Sequence, residues 1–132
     1  MDEENRKILV SQQKQKASRF LSQADEMLGM EYWDLAANRF YYACFHAVQG
    51  LFISKGISAH THAGMIQQFS LHFVKTRMVD MHYGSFLARM MQLRQKADYN
   101  CAYDITKEEI FDMQPRAIEF VRAIETLIHR PS

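Results

Sequence analysis

The stretch WDLAANRFYYACFHAVQGLFI, residues 33–53, decides the fold. Drawn as a helix, it carries apolar side chains on nearly every side and not along one stripe. Such a helix is touched by neighbours all round and belongs at the centre of a helical assembly. It starts near Trp33 or Asp34 and runs to about Lys55, with Gly56 suited to the left-handed turn that ends helices. At about 1.5 Å per residue it measures roughly 33 Å, enough to cross a small domain.

The flanking segments supply partners for that spine. Upstream, Ala17, Phe20, Leu21, Ala24, Met27 and Leu28 recur at spacings of three and four, which predicts a helix over roughly 4–28 with Gly29 as its stop. The first dozen residues are polar and free to fray or to meet a partner. Downstream of SAHTHAG (58–64), Met65, Ile66, Phe69 and Phe73 give a shorter helix an apolar face, and VKTRMVDMHYG (74–84) reads as a loop. A fourth helix is predicted from about Ser85 to Asp98, with Leu87, Met90, Met91 and Ala97 inward. In DITKEE, Thr106 and Glu109 form a capping box that opens the last helix. There Ile110, Met113, Ala117, Phe120, Val121, Ile124, Leu127 and Ile128 make the cleanest stripe in the chain, and Pro115 should kink it. The expectation is an all-α fold: one domain over residues 1–132, an antiparallel up-and-down bundle of four long helices plus one short helix.

Composition agrees. The 132 residues are 48% hydrophobic, with five Gly and two Pro, so material for hairpin turns is scarce. A net charge of +1 excludes a generally basic nucleic-acid coat. Charge is uneven, however. Residues 74–97 carry five bases against Asp80, whereas residues 98–125 carry seven acids against three bases. These are two solvated faces, or else surfaces for a polyanion and a partner. Cys44 and Cys101 show neither metal spacing nor a disulfide framework. No signal segment and no run of membrane-spanning length is present, which points to a soluble cytoplasmic protein without membrane contact.

Few residues suggest chemistry. Arg39, Tyr42, Ala43 and His46 share one face of the central helix, Arg39 and His46 being about two turns, roughly 10 Å, apart. Both could reach a phosphate placed between them, or Arg39 pairs with a carboxylate and His46 with an acceptor in the core. Arg94, in LRQKADYN (93–100), falls on the inward stripe of its helix. A buried guanidinium without a partner costs several kcal/mol (roughly). Asp98, one turn on, is spaced for an ion pair. Two readings stand open: a salt bridge that snorkels to the bundle end, or an arginine that lines a cleft and waits for phosphate. His60 and His62 flank Thr61 without supporting metal ligands, so Thr61 reads as an N-cap and no metal or cofactor is expected.

NRFYYACFHAVQGLF (38–52), THAGMIQQF (61–69), FVKT (73–76) and LRQKADYN, in that order, resemble the landmarks of the HEPN-domain family. The likeness is to its small stand-alone prokaryotic members and covers roughly residues 17–128. It implies a bundle of about five helices, often homodimeric. It also implies a minimal nucleotidyltransferase partner in a toxin–antitoxin-type module. Many members are metal-independent ribonucleases whose signature is an Arg followed four to six residues later by a His. Here Arg94 takes the arginine position, but Tyr99 stands five residues on and no His occurs before His129. A phenol, ordinarily ionising near 10, replaces an imidazole poorly at neutral pH.

The resemblance therefore implies a nucleotide- or RNA-binding protein without the standard ribonuclease histidine. Arg94, Asp98 and Tyr99 would form the family cleft, with Arg39 and His46 as further binding candidates. Asp98 would orient the guanidinium, while Tyr99 could stack on a base. The alternatives are an active endoribonuclease toxin using Arg94 with Tyr99, or Arg39 with His46, and a non-enzymatic adaptor. Tyr99 and Tyr103 are the candidate acceptors for modification by a partner enzyme.

Overall fold

A computed structural model describes residues 1–99 and 104–131. Helix α1 spans Glu3–Gly29, α2 Trp33–Lys55, α3 His62–Phe69, α4 Met81–Tyr99 and α5 Lys107–His129. The architecture is the expected all-α, antiparallel up-and-down bundle of four long helices and one short one. Among the described residues no helix is long and apolar enough to cross a membrane.

The central position of α2 follows from its sequence. Phe40, Ala43, Val48 and Leu51 are fully buried on different sides of it, within one core cluster that includes Phe69, Ile110, Phe120 and Ile124. The most extensive packing of α2 is against α1, then against α5, with α4 touching it more lightly. The α1–α2 approach is close because Gly50 has no side chain: a Cβ there would stand 3.3 Å from Gln13 Cβ. At the start of α4, the Tyr83 hydroxyl donates to Glu119 of α5 at 2.8 Å.

Helix ends are set by local chemistry, and two expectations need correction. Gly29 is not the stop of α1. The helix includes it, and the chain turns at Glu31, which takes a left-handed φ of 63°. The α4 helix starts four residues before Ser85, because Asp80 accepts the His82 backbone N–H at 2.9 Å and caps an otherwise unpatterned first turn. The polar start of α1 is helical from Glu3, its first turn capped by Asp2 accepting from Asn5 N at 2.8 Å. Thr61 accepts from Gly64 N at 2.8 Å and caps α3. The Thr106–Glu109 capping box opens α5 as read, and that helix runs unbroken through Pro115. The last turn of the expected third helix, which carries Phe73, is instead a π-helical turn, Ser70–Val74, a wide turn with one more residue than an α turn.

Candidate functional site

Arg94 is the hinge of the site. The inward stripe of α4 carries its side chain against α2, where it remains 23% exposed. One terminal nitrogen donates to Asp98 Oδ1 at 2.5 Å, the spacing of one helical turn. The other donates to the Tyr42 hydroxyl of α2 at 2.8 Å. The guanidinium carbon lies 5.1 Å from the centroid of the Tyr42 ring and 5.8 Å from that of Tyr41, so both phenols form its floor. Arg94 Nε is buried there with no hydrogen-bond partner among the described residues. Burial opposes the charge, but the Tyr42 hydroxyl, Asp98 and Tyr41 outweigh it and hold Arg94 above the ordinary arginine value. Each terminal nitrogen carries a second N–H. A fixed, charged and partly exposed guanidinium with donors to spare is suited to accept an anion.

Tyr42 joins this arginine to the other two candidates. Its ring meets Phe20 of α1 edge-on at 6.5 Å and lies 6.4 Å from the His46 ring. Phe20 in turn packs against His46 at 5.3 Å, and the Arg39 guanidinium stands 5.2 Å over the Phe20 ring. Arg39, Phe20, His46, Tyr42 and Arg94 thus form one strip in which two arginines bracket three rings. Arg39 has no carboxylate in an ion pair among the described residues. Its partner is the Phe20 face, and this departs from the pairing with an acid expected of a structural arginine.

His46 has the side-chain acceptor that a structural histidine needs. Its Nδ1 donates to Gln13 Oε1 at 2.7 Å, leaving Nε2 as the acceptor of a neutral ring. Burial, and then the charge of Lys16, lower its pKa below the ordinary 6.5. On the other side of the strip, Tyr41 Oη and His62 Nδ1 are 3.5 Å apart. Burial, followed by the neighbouring Tyr42, pushes the Tyr41 phenol up to about 12. It is therefore a neutral donor across the physiological range.

The remaining candidates fall away from this strip or outside it. Tyr99 ends α4 with 88% of its surface exposed. Tyr103 and Cys101 lie outside the described residues. Among the described residues no group of three or more His, Cys, Asp and Glu gathers as a metal would require. A cavity of about 100 Å³ opens beside Arg94, walled by Asn38, Tyr41 and Leu93 among others. At about 30 Å³ per water it holds a phosphate-sized group and not a nucleoside.

Sequence reasoning placed Tyr42 on the Arg39–His46 face but missed that it bonds Arg94. It missed Phe20, Tyr41 and His62 as neighbours altogether. Three- and four-residue spacing reports only which residues share a helix, and the Tyr42–Arg94 bond joins residues 52 apart. The one available signal was the pair of phenols in FYYACFH, more polar than a purely structural helix needs.

The HEPN domain family model matches residues 10–127, a span that includes every helix carrying the strip. A UPF0332 protein of Thermotoga maritima is 36% identical over 115 residues, 87% of each chain. A Methanocaldococcus jannaschii protein named "Putative toxin" is 32% identical over 95 residues, 72% of this chain and 65% of that one. Another protein of the same name and organism is 39% identical over 64 residues, 48% of each chain.

Proposed function

The chain belongs to the HEPN domain family, and from that premise we propose that it is the nucleotide- or RNA-binding component of a toxin–antitoxin-type module. In this reading residues 1–132 act as one HEPN-like domain, homodimeric and cytoplasmic, working with a minimal nucleotidyltransferase. The observation that carries the binding role is the Arg94 guanidinium, fixed by Tyr42 and Asp98 on a floor of two phenols with donors unspent. A pre-organised planar fork recognises phosphate oxygens. The adjoining rings of Tyr42, Phe20 and His46 offer stacking surface to a base. Tyr99, exposed at the end of the same helix, is the candidate acceptor for modification by the partner, with Tyr103 beside it in sequence.

Binding without catalysis is favoured because the family's histidine position holds Tyr99. The toxin names of the relatives agree with either a regulatory or a cleaving member. The test is titration of labelled single-stranded RNA and of nucleotides into wild-type and Arg94→Ala protein at low salt. Saturable binding lost in Arg94→Ala supports the reading, and binding that ignores the substitution removes Arg94 from it.

One observation favours a second reading, a metal-independent endoribonuclease. His46, neutral and with Nε2 open as an acceptor, stands beside Tyr42, the hydroxyl partner of Arg94. A histidine of that state can take a proton from a ribose 2′-hydroxyl. Cleavage of labelled RNA without added metal, abolished by both His46→Gln and Arg94→Ala, would select this reading over the first.

A further inference from the structure

A second cavity lies away from Arg94, an open groove of about 700 Å³ between the first half of α1 and the last turns of α5. It lies at the other end of the bundle. Ser54 of α2 lines it twelve residues beyond Tyr42, about 18 Å along the helix axis. Its α1 wall presents Lys7, Ser11, Lys14 and Ser18, spaced four, three and four apart and so on one face. Its α5 wall presents Glu125, Ile128 and His129.

One contact in this groove sets it apart from an ordinary solvated surface. Lys14 Nζ donates to His129 Nε2 at 2.8 Å, bringing two basic nitrogens together. Neither is in an ion pair among the described residues, and the same holds for Lys7. By contrast Arg6, on the same wall, is tied to the Ile53 carbonyl and to Glu3 at 3.5 Å. Convergent basic groups that are not ion-paired repel once both carry charge, and an anion seated between them reverses the sign. Ser11 and Ser18 add neutral donors around the rim, while Val10 and Ile128 give an apolar floor. Glu125, the wall carboxylate that Arg6 does not engage, offers an acceptor to hydroxyl groups. Anion donors at one place, a hydroxyl acceptor at another and an apolar floor between them describe a phosphorylated sugar bearing an apolar-faced ring. A cavity of this volume is in the size range of small-molecule sites.

We propose that this α1–α5 groove is a second, separate binding site for the phosphate of a nucleotide, with Lys7, Lys14 and His129 as its phosphate ligands. The nucleotide is either free or part of an RNA chain, and the chemistry recognised is the same. The site does not depend on the Arg94 strip.

The test uses fluorescent ATP without metal and a short labelled RNA, each titrated at low salt into wild-type protein and four variants. Lys14→Glu and Lys7→Glu are each expected to weaken binding by about tenfold or more. Lys75→Glu, an exposed base on another face, controls for overall charge, and Arg94→Ala isolates the first site. Both lysines are on the surface of α1, and Lys14→Gln with a thermal melt confirms that the fold persists. Binding of ATP alone identifies a free nucleotide as the ligand, and binding of RNA alone identifies a chain. Either supports the site if Lys14→Glu weakens it and Lys75→Glu does not. Three results overturn it: no saturable binding of either probe, equal losses in Lys14→Glu and Lys75→Glu, or full retention in Lys14→Glu. Full retention in Lys14→Glu together with loss in Arg94→Ala leaves the Arg94 reading intact and removes only this one.

Discussion

Which of its two partners holds Arg94 can be decided by removing single atoms. Tyr42→Phe deletes the hydroxyl that Arg94 bonds at 2.8 Å and leaves the ring on which the guanidinium rests. A hydrogen bond involving a charged group contributes about 1.5–3 kcal/mol to stability. Because Arg94 is 23% exposed and water can replace part of the bond, the lower end applies, about 1.5 kcal/mol. Asp98→Asn removes a carboxylate that is 42% exposed, at the i, i+4 spacing worth only about 0.3–0.5 kcal/mol. Tyr42→Phe should therefore cost roughly three times as much as Asp98→Asn. With a urea slope of about 1.5 kcal/mol per molar, its midpoint falls by roughly 1 M. A double-mutant cycle of Tyr42→Phe with Arg94→Met should give a coupling of about 1 kcal/mol or more. Coupling below about 0.3 kcal/mol, within the additivity expected of unrelated sites, would refute the claim that Tyr42 anchors the arginine.

Other expectations follow from burial and charge. Because burial lowers the His46 pKa, the unfolded chain takes up that proton first as pH falls. The His46 contribution to stability is complete above pH 6.5 and is lost as pH drops through the folded value; a histidine proton NMR titration should give a midpoint below 6.5, and His46→Gln should flatten that acid limb. Cys44 is 1% exposed and burial raises its thiol pKa, so in a Cys101→Ser background a thiol reagent should modify it only upon unfolding. Rapid labelling of the native protein would contradict the packing of α2. Phe120 is fully buried against the rings of Phe69 and Phe86, and Phe120→Ala should cost about 3–5 kcal/mol by urea denaturation. Gly50→Val places atoms where a single Cβ already comes within 3.3 Å of Gln13, and should cost about 1–3 kcal/mol.

The sequence conveyed most clearly what a helix says about itself. The two-sided apolar pattern of residues 33–53 located the spine, and the stripe from Ile110 to Ile128 located α5. Boundaries were legible where a cap chemistry was recognised, as at Thr106, and misread where it was not. Asp80 caps α4, but the residues after it, Met81–Gly84, have no core stripe to announce a helix. Gly29 invited a stop that the chain instead makes at Glu31, using a residue with no propensity for it. The site was legible only in parts. That Arg94 and Asp98 should meet follows from spacing on one helix. That Tyr42 should receive the other nitrogen depends on how α4 lies across α2, which no local pattern records.

The close seating of α1 on α2 at Gly50 also bears on the order in which the molecule assembles. Only Met30, Glu31 and Tyr32 separate these two helices, so their pairing closes a very short loop. The Arg94 strip is different, since Tyr42 and Arg94 are 52 residues apart and their pairing closes a much longer loop. A helical hairpin of α1 and α2 should accordingly be formed in the rate-limiting state, with α4 arriving later. Gly50→Val should then slow folding, whereas Tyr42→Phe should chiefly hasten unfolding. Arg94 would be the last side chain of the strip to be seated and the first to be released.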